Sequence, residues 1–174
     1  MFRLETDRLV LREYRMEDLD DIAAILGDPE TMQYYPAPFT RARSQEWIEW
    51  NLRSYAADGF GLWAMESKPS GEFLGNCGPV RRQVDGVSEV EVGWHVKRSR
   101  WRRGIATEAA RECCRYAFED LGLTRLISLI RPVNVPSRGV AEKLGMTVEK
   151  EIMYGSGPAW PHYVYTLQAT PDPV

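Results

Sequence analysis

A strand, a basic turn, a helix and a second strand follow one another in the middle of this chain, and this succession most constrains its fold. Val87–Val96 is strand-like, and small apolar pairs then recur about every four residues over 105–121, as in an amphipathic helix. A short apolar run over 126–130 predicts the second strand. Strands joined in this way lie parallel in one sheet, with a right-handed crossover. The middle of the chain therefore predicts a parallel β-α-β unit.

The segments on either side of this unit predict further strands and helices. Strands are predicted over 8–14, 61–67, 73–82, 147–154 and 162–167. Tight turns at 68–71, 85–86 and 155–158 join these runs, so the sheet should begin as an antiparallel meander. Helices are predicted over 17–26, from a Thr40 cap to Gly59, and over 136–144. We expect one α/β domain over 1–174, with a mixed sheet that is antiparallel first and has one parallel crossover.

Composition and charge limit the classes of function. The 174 residues are 44% hydrophobic and 27% charged, which is ordinary for a globular protein. The net charge of -3 argues against a general nucleic-acid binder. Three cysteines, two of them adjacent, and two histidines indicate neither a disulfide framework nor a metal site. Because no apolar run is long enough to span a bilayer, we expect a cytoplasmic protein without a membrane partner.

The central turn is rich in cations although the chain is acidic. Five basic residues precede Gly104, namely Lys97, Arg98, Arg100, Arg102 and Arg103. A helix N-terminus leaves N–H groups unpaired and carries about half a positive charge, and glycine lets an anion approach closely. The glycine patterns of a Walker loop and of a dinucleotide fingerprint are both absent from this turn. The turn predicts a phosphate site, with a merely solvated basic turn as the alternative.

An aromatic loop at 34–39 is the second candidate functional segment. Pro36 and Pro38 stiffen it, and loops carry function more often than helices and strands do. We interpret it as a candidate lining of a substrate pocket. The aromatic residues of the helix that follows, in contrast, are typical of core packing.

Three stretches of the sequence together carry a family resemblance. They read LETDRLVLR over 4–12, EVGWHV and WRRGIATEA over 91–96 and 101–109, and NVPS and AEKLGM over 134–137 and 141–146. In this order they resemble the GNAT N-acetyltransferases, most closely the branch of ribosomal-protein N-terminal acetyltransferases. The likeness covers nearly the whole chain. Several positions depart from it. Relatives often have glycine at Arg102 and phenylalanine at Met146, and some have at Ala141 a tyrosine that protonates the departing thiolate.

The resemblance implies acetyl-CoA as acyl donor, direct transfer of the acetyl group to an amine, and no metal. It implies that the backbone amides of residues 102–107 bind the pyrophosphate and that the end of the preceding strand, at His95 and Val96, pairs with the pantetheine arm. The residues that it assigns to acetyl-CoA are Trp94, His95, Val96, Arg102, Arg103, Gly104, Ile105, Ala106, Thr107, Asn134 and Ser137. An N–H near Val96 would face the oxygen that becomes negative during the reaction.

The catalytic candidates are Glu91, His95 and Ser137. Glu91 and His95 would share one strand face unless a bulge reverses the alternation, and either could deprotonate the amine. The alternatives are that Glu91 is a structural hydrogen-bond partner and that His95 is only packed. Ser137 would replace the missing tyrosine as the acid, or it would cap a helix instead.

The resemblance leaves several identities open. The acceptor could be a protein N-terminus, an amino acid, a polyamine or an antibiotic amine. A different donor such as succinyl-CoA, a non-catalytic acyl-CoA sensor and a nucleic-acid adaptor are the competing functions. We expect acetyl-CoA and an amine acceptor as partners, no nucleic acid, and leave a homodimer open.

Overall fold

The strands and helices follow the chain in the alternation that the sequence predicts. The computed structural model describes residues 2–155 and 157–169. Its strands are β1 (Arg3–Glu5), β2 (Leu9–Arg12), β3 (Trp63–Ser67), β4 (Phe73–Val84), β5 (Val87–Val96), β6 (Arg125–Ile130), β7 (Thr147–Tyr154) and β8 (Trp160–Gln168). Its helices are α1 (Leu19–Leu26), α2 (Arg41–Asp58), α3 (Ile105–Glu119) and α4 (Val135–Lys143), with short 3₁₀ turns at Met16–Asp18 and Arg98–Arg100.

All these strands lie in one sheet, in the order β1-β2-β3-β4-β5-β6-β8-β7. Neighbours from β1 to β5 are antiparallel, β5 and β6 are parallel, and β6, β8 and β7 are again antiparallel. The predicted mixed sheet with a parallel crossover is therefore confirmed. The sequence did not predict β1, because three residues are too few to show an alternation. Ser156, in the predicted turn at 155–158, lies outside the described residues.

The β4–β5 hairpin fixes the register of the strand that leads to the basic turn. Asp85 and Gly86 have positive φ angles of 50° and 79°, which is the backbone of a two-residue hairpin turn. From this turn the pairing runs without a shift to the partners Gly75 and Val96. The predicted alternation along β5 is therefore confirmed, and no bulge moves Glu91 and His95 to opposite faces.

Helix α3 covers one face of the sheet with small side chains. Its buried face consists of Ile105, Ala109, Ala110, Cys113, Cys114 and Ala117, which pack in one cluster with the β5 residues Val90, Val92 and Val96. Small residues let a helix lie close to a sheet, so the start of α3 is held firmly beside the end of β5. The helix ends two residues before the predicted 121, and Gly122 follows with φ 66°.

Helices α1 and α2 contribute the apolar cluster of the other face. Ile22, Leu26 and Ile48 are buried there beneath the aromatic loop. As predicted, Thr40 caps α2, because its side chain accepts a hydrogen bond from Arg43 N, and Gly59 ends the helix with φ 78°. None of the helices in the described chain is both long and apolar enough to cross a membrane.

Candidate active site

A cleft of about 720 Å³ opens where β5 and β6 separate. Four segments line it: residues at 30–35 before α2, the end of β5 at 94–96, the turn and first helical turn at 100–107, and the start of α4 at 134–140. The fold thus brings together the aromatic loop, the basic turn and the NVPS segment, which lie far apart in the sequence.

The separation of β5 from β6 leaves main-chain groups facing the cleft. The two strands share a single registered pair, Glu91 with Ile127. Just beyond it the Val92 carbonyl accepts a hydrogen bond from the Ser128 hydroxyl, at 2.7 Å, instead of from a backbone N–H. Lys97 N donates to Leu74 O on the β4 side, at 2.8 Å.

In an antiparallel ladder, hydrogen-bonded and non-hydrogen-bonded residue pairs alternate along the strand. This alternation determines which backbone groups at the end of β5 face β4 and which face away from it. Because Lys97 and Leu74 form a hydrogen-bonded pair, the N–H and C=O groups of Trp94 and Val96 point away from β4 and into the gap. The Val96 carbonyl accepts a hydrogen bond from the Trp101 indole N–H, at 2.7 Å. An amide-bearing chain in the gap would complete the remaining backbone bonds of β5.

The basic turn places the start of α3 at the other end of the cleft. Gly104 stands at the N-cap of the helix with φ 76°. The first helical hydrogen bond runs from Glu108 N to Gly104 O, at 2.9 Å, so the N–H groups of Ile105, Ala106 and Thr107 have no helical acceptor. All three residues line the cleft. Several N–H donors and the positive end of the helix dipole therefore converge on one point, which suits a phosphate.

The N-terminal strands hold this turn in place. The Glu108 carboxylate accepts hydrogen bonds from the Thr6 hydroxyl at 2.5 Å, from Arg8 N at 3.0 Å and from Arg8 Nε at 2.6 Å. Arg8 Nη1 also donates to the carbonyl of Arg103, at 3.1 Å. Burial alone would raise the pKa of Glu108, but the bonds from Thr6 and Arg8 outweigh it and lower this pKa below its ordinary value. Thr6 and Arg8 belong to the motif at 4–12, but this bracing role was not predicted from the sequence.

Most of the cations at the turn are already paired. Lys97 and Arg100 bind Glu72, and Arg98 binds Glu30 at 2.7 Å. These carboxylates offset the repulsion among several positive side chains that lie near the positive end of the α3 dipole. Three of the five cations are therefore neutralised, whereas Arg102 and Arg103 have no ion pair within the described residues.

Arg102 and Arg103 have different positions at the turn. Arg102 lines the cleft and has a φ of 59°, a left-handed backbone that explains why relatives favour glycine there. Arg103 instead lines a separate cleft of about 230 Å³, together with Arg8 and Arg100. The side chains of these two neighbours thus face different clefts.

The NVPS segment forms the wall opposite the turn. The Asn134 side chain accepts a hydrogen bond from Ser137 N at 3.2 Å, so Asn134, and not Ser137, caps α4. Ser137 lines the cleft, and its hydroxyl has no hydrogen-bond partner within the described residues. Ala141 is fully buried beside Met146 and Tyr165, away from the lining of the cleft.

Glu91 is engaged in an ion pair beside the cleft. Its carboxylate binds Arg82 Nε at 2.7 Å, and its side chain is 14% exposed. The Arg82 guanidinium lies over the Trp50 ring, 5.0 Å from the centroid. Glu91 itself is not among the lining residues. To act as a base it would have to reach the amine through an intervening group such as water.

His95 lines the cleft and both of its ring nitrogens have partners. Nε2 lies 2.7 Å from the Tyr35 hydroxyl oxygen, and Nδ1 lies 3.0 Å from Asn76 Oδ1. Burial, together with the charge of Arg82, lowers the pKa of His95 to about 4, so the ring is neutral near pH 7. The aromatic loop was predicted from the sequence as a pocket lining, whereas the particular roles of Tyr35 and Asn76 were not.

Comparison with known proteins identifies the family. The family model described as "Acetyltransferase (GNAT) domain" matches residues 8–147. This chain belongs to the GNAT acetyltransferase family. The matched residues run from β2 to the start of β7 and so include all four segments of the cleft.

Individual GNAT proteins resemble this chain over nearly its full length. The uncharacterized protein YkkB of Bacillus subtilis is 39% identical over 86% of this chain and 88% of its own. An acetyltransferase structure from Agrobacterium tumefaciens superposes with a TM-score of 0.83, at 27% identity, and covers 97% and 95% of the two chains. RimL, a ribosomal L7/L12 α-N-protein acetyltransferase solved with coenzyme A, has a TM-score of 0.76, at 14% identity, and covers 96% and 98%. The predicted resemblance to this family, with ribosomal-protein acetyltransferases among its neighbours, is confirmed.

Proposed function

We propose that this GNAT protein transfers the acetyl group of acetyl-CoA directly to a primary amine, over a single domain that spans 1–174. The observation that carries the proposal is the cleft itself. It joins the N–H groups at the start of α3 to the main chain of β5, which is left open by the separation from β6. In acetyl-CoA, the pyrophosphate needs N–H donors such as those at the start of α3. The amide-bearing pantetheine arm needs open main-chain groups such as those of β5.

The residues of the cleft have separable tasks in this proposal. Backbone N–H groups over 102–107 bind the pyrophosphate, and Trp94 and Val96 pair with the pantetheine arm. The Val96 N–H stabilises the carbonyl oxygen as it becomes negative. The amine attacks the carbonyl carbon, the carbon–sulfur bond breaks, and Ser137 gives a proton to the departing thiolate. The unpaired Ser137 hydroxyl and the use of Asn134 as helix cap support this assignment.

Glu91 is the base in this proposal, acting through water on the amine. His95 is disfavoured as the base because its low pKa makes it a weak proton acceptor near pH 7. Glu91→Gln keeps a side-chain oxygen for Arg82 while removing the basic carboxylate. We expect this variant to lower kcat severalfold and to leave acetyl-CoA affinity unchanged. An unchanged kcat would instead support a purely structural role for the Glu91–Arg82 pair.

Thermal unfolding tests the donor first. At a hundred times its dissociation constant a ligand stabilises the folded state by about 2.7 kcal/mol, which raises Tm by roughly 5–10 °C for a chain of this size. We expect acetyl-CoA to produce such a rise. A matched titration with succinyl-CoA tests the alternative donor. No rise with either compound would refute the donor site.

An assay of free thiol release then separates an enzyme from a sensor. The acceptor panel consists of a short peptide amide with an N-terminal serine, a free amino acid, spermidine and an aminoglycoside. RimL acts on a protein N-terminus, so we propose the peptide as the first acceptor to test. Amine-dependent thiol release supports the transferase, whereas binding of acetyl-CoA without turnover of any amine supports the sensor.

A further inference from the structure

A chain of hydrogen bonds runs from the protein core to the cleft wall. Asn76 Nδ2 donates to the Tyr14 hydroxyl oxygen at 2.9 Å. Asn76 Oδ1 lies 3.0 Å from His95 Nδ1, and His95 Nε2 lies 2.7 Å from the Tyr35 hydroxyl oxygen. Asn76 is fully buried and Tyr14 is 2% exposed, while Tyr35 and His95 line the cleft. The chain therefore connects a rigid interior to a hydroxyl at the site.

The partners along this chain determine where each proton lies. Because the Asn76 amide nitrogen donates to Tyr14, its oxygen faces His95 and must accept a hydrogen bond. His95 Nδ1 therefore carries the proton. A neutral imidazole has one such proton, so Nε2 has only a lone pair and must accept from Tyr35. The hydroxyl proton of Tyr35 consequently points at His95. The hydroxyl oxygen of Tyr35 can therefore offer only lone pairs to the cleft.

Three further contacts hold this arrangement. The His95 ring lies edge-on to Trp47, with centroids 5.8 Å apart, and tilted against Tyr35, with centroids 5.5 Å apart. Arg131 Nη1 donates to the Tyr34 carbonyl at 3.2 Å and so anchors the aromatic loop at the neighbouring residue. Tyr35 is 40% exposed as a whole, but desolvation of its hydroxyl group raises its pKa, as does the charge of Glu91, and keeps the hydroxyl protonated.

We propose that the Tyr35 hydroxyl oxygen accepts a hydrogen bond from the N–H of the acceptor amine. Tyr35 is then a binding residue for the acceptor, and His95 and Asn76 are positioning residues that keep its proton out of the cleft. The amine meets a lone pair rather than a competing O–H donor. The assignment of an amine rests on the proposed acetyl transfer, whereas the order of the protons rests on the orientation of the Asn76 amide and on a neutral His95 ring.

Nitrogen-15 NMR of ring-labelled histidine tests the order of the protons without any substrate. The chain has two histidines, so His162→Gln leaves His95 as the single signal. We expect a protonated Nδ1 and a pyridine-type Nε2 at pH 7. Adding Tyr35→Phe should move the Nε2 resonance toward that of a free pyridine-type nitrogen and leave the tautomer unchanged. A protonated Nε2, in either the neutral or the charged ring, would overturn the proposal.

Steady-state kinetics test the contact with the amine, with acetyl-CoA as donor and the N-terminal seryl peptide amide and spermidine as probes. Tyr35→Phe should raise the KM for the amine at least roughly tenfold, as expected for the loss of a hydrogen bond to a charged or polar group. The KM for acetyl-CoA should stay within about twofold. Tyr116→Phe is the matched control, because it removes a tyrosine hydroxyl from α3 at a position outside the lining of the cleft.

The outcomes separate failure of this proposal from failure of the proposed function. Equal effects of Tyr116→Phe and Tyr35→Phe, or an unchanged amine KM in Tyr35→Phe, would overturn the role of Tyr35 while leaving the acetyltransferase intact. Failure of the unmodified protein to acetylate either probe, with acetyl-CoA still raising Tm, would overturn the assignment of an amine to this site. The NMR result decides the order of the protons in both cases.

Discussion

Replacing Gly104 by alanine tests whether the backbone of the basic turn binds the pyrophosphate. Gly104 has φ 76°, and a Cβ added there would meet Arg8 Nη2 at 3.5 Å, which is ordinary van der Waals contact. The cost is therefore conformational rather than steric. A left-handed backbone at an L-residue destabilises the folded state by about 1–2 kcal/mol. Alanine also lowers the conformational entropy of the unfolded chain relative to glycine, which offsets about 0.4–1 kcal/mol of that loss. We expect a net loss of about 1 kcal/mol, or roughly 2–4 °C in Tm.

The same substitution should weaken acetyl-CoA binding by more than it weakens the fold. If the turn relaxes toward negative φ, the N–H groups at the start of α3 change direction. Losing one hydrogen bond to a charged group costs about 1.5–3 kcal/mol, which corresponds to a dissociation constant about ten to a hundred times larger. Isothermal titration calorimetry with acetyl-CoA measures this change directly.

Gly86→Ala is the matched control for Gly104→Ala. Gly86 has φ 79°, nothing lies within 4 Å of its added Cβ, and it sits in the β4–β5 turn outside the cleft lining. The control should lose similar stability and keep its affinity for acetyl-CoA. If Gly104→Ala also kept its affinity at a similar loss of Tm, the backbone of this turn would not be the pyrophosphate site.

Three further predictions concern the bracing, the strain and the acid of the site. Glu108→Gln should lower the free energy of unfolding by about 1–2 kcal/mol at pH 7, as measured by urea unfolding. Because folding lowers the pKa of Glu108, the carboxylate stabilises the fold at pH values above the ordinary pKa of 4.5, and this stabilisation should fade as the pH falls below 4.5. Arg102→Gly should raise Tm by roughly 1–3 °C through relief of the left-handed backbone, and a fall in Tm would contradict that reasoning. Ser137→Ala should lower kcat at least about tenfold with an unchanged KM for acetyl-CoA, whereas an unchanged kcat would exclude Ser137 as the acid.

Much of the proposed acetyl-CoA side of the cleft could be predicted from the sequence, and much of the proposed acceptor side could not. The bounds of β5 were predicted correctly and α3 begins at the predicted residue, because hydrophobic period, helix caps and glycine positions are local properties. The role of Ser137 as a possible helix cap was wrong, since Asn134 occupies the N-cap and its side chain accepts from the N–H of Ser137 in the first helical turn. The local pattern alone did not distinguish these two polar residues.

The sequence by itself determined a helix N-terminus after a strand, with Gly104 at their junction and a parallel crossover beyond it. Only the tertiary structure decided what supports and faces that junction. Glu108 meets Arg8 across a hundred residues, and His95 meets Tyr35 across sixty. These pairs depend on how α3 and the aromatic loop pack on the sheet. A local sequence pattern specifies which backbone conformation a segment takes, but the partners of a side chain are set by which distant segments share its surroundings.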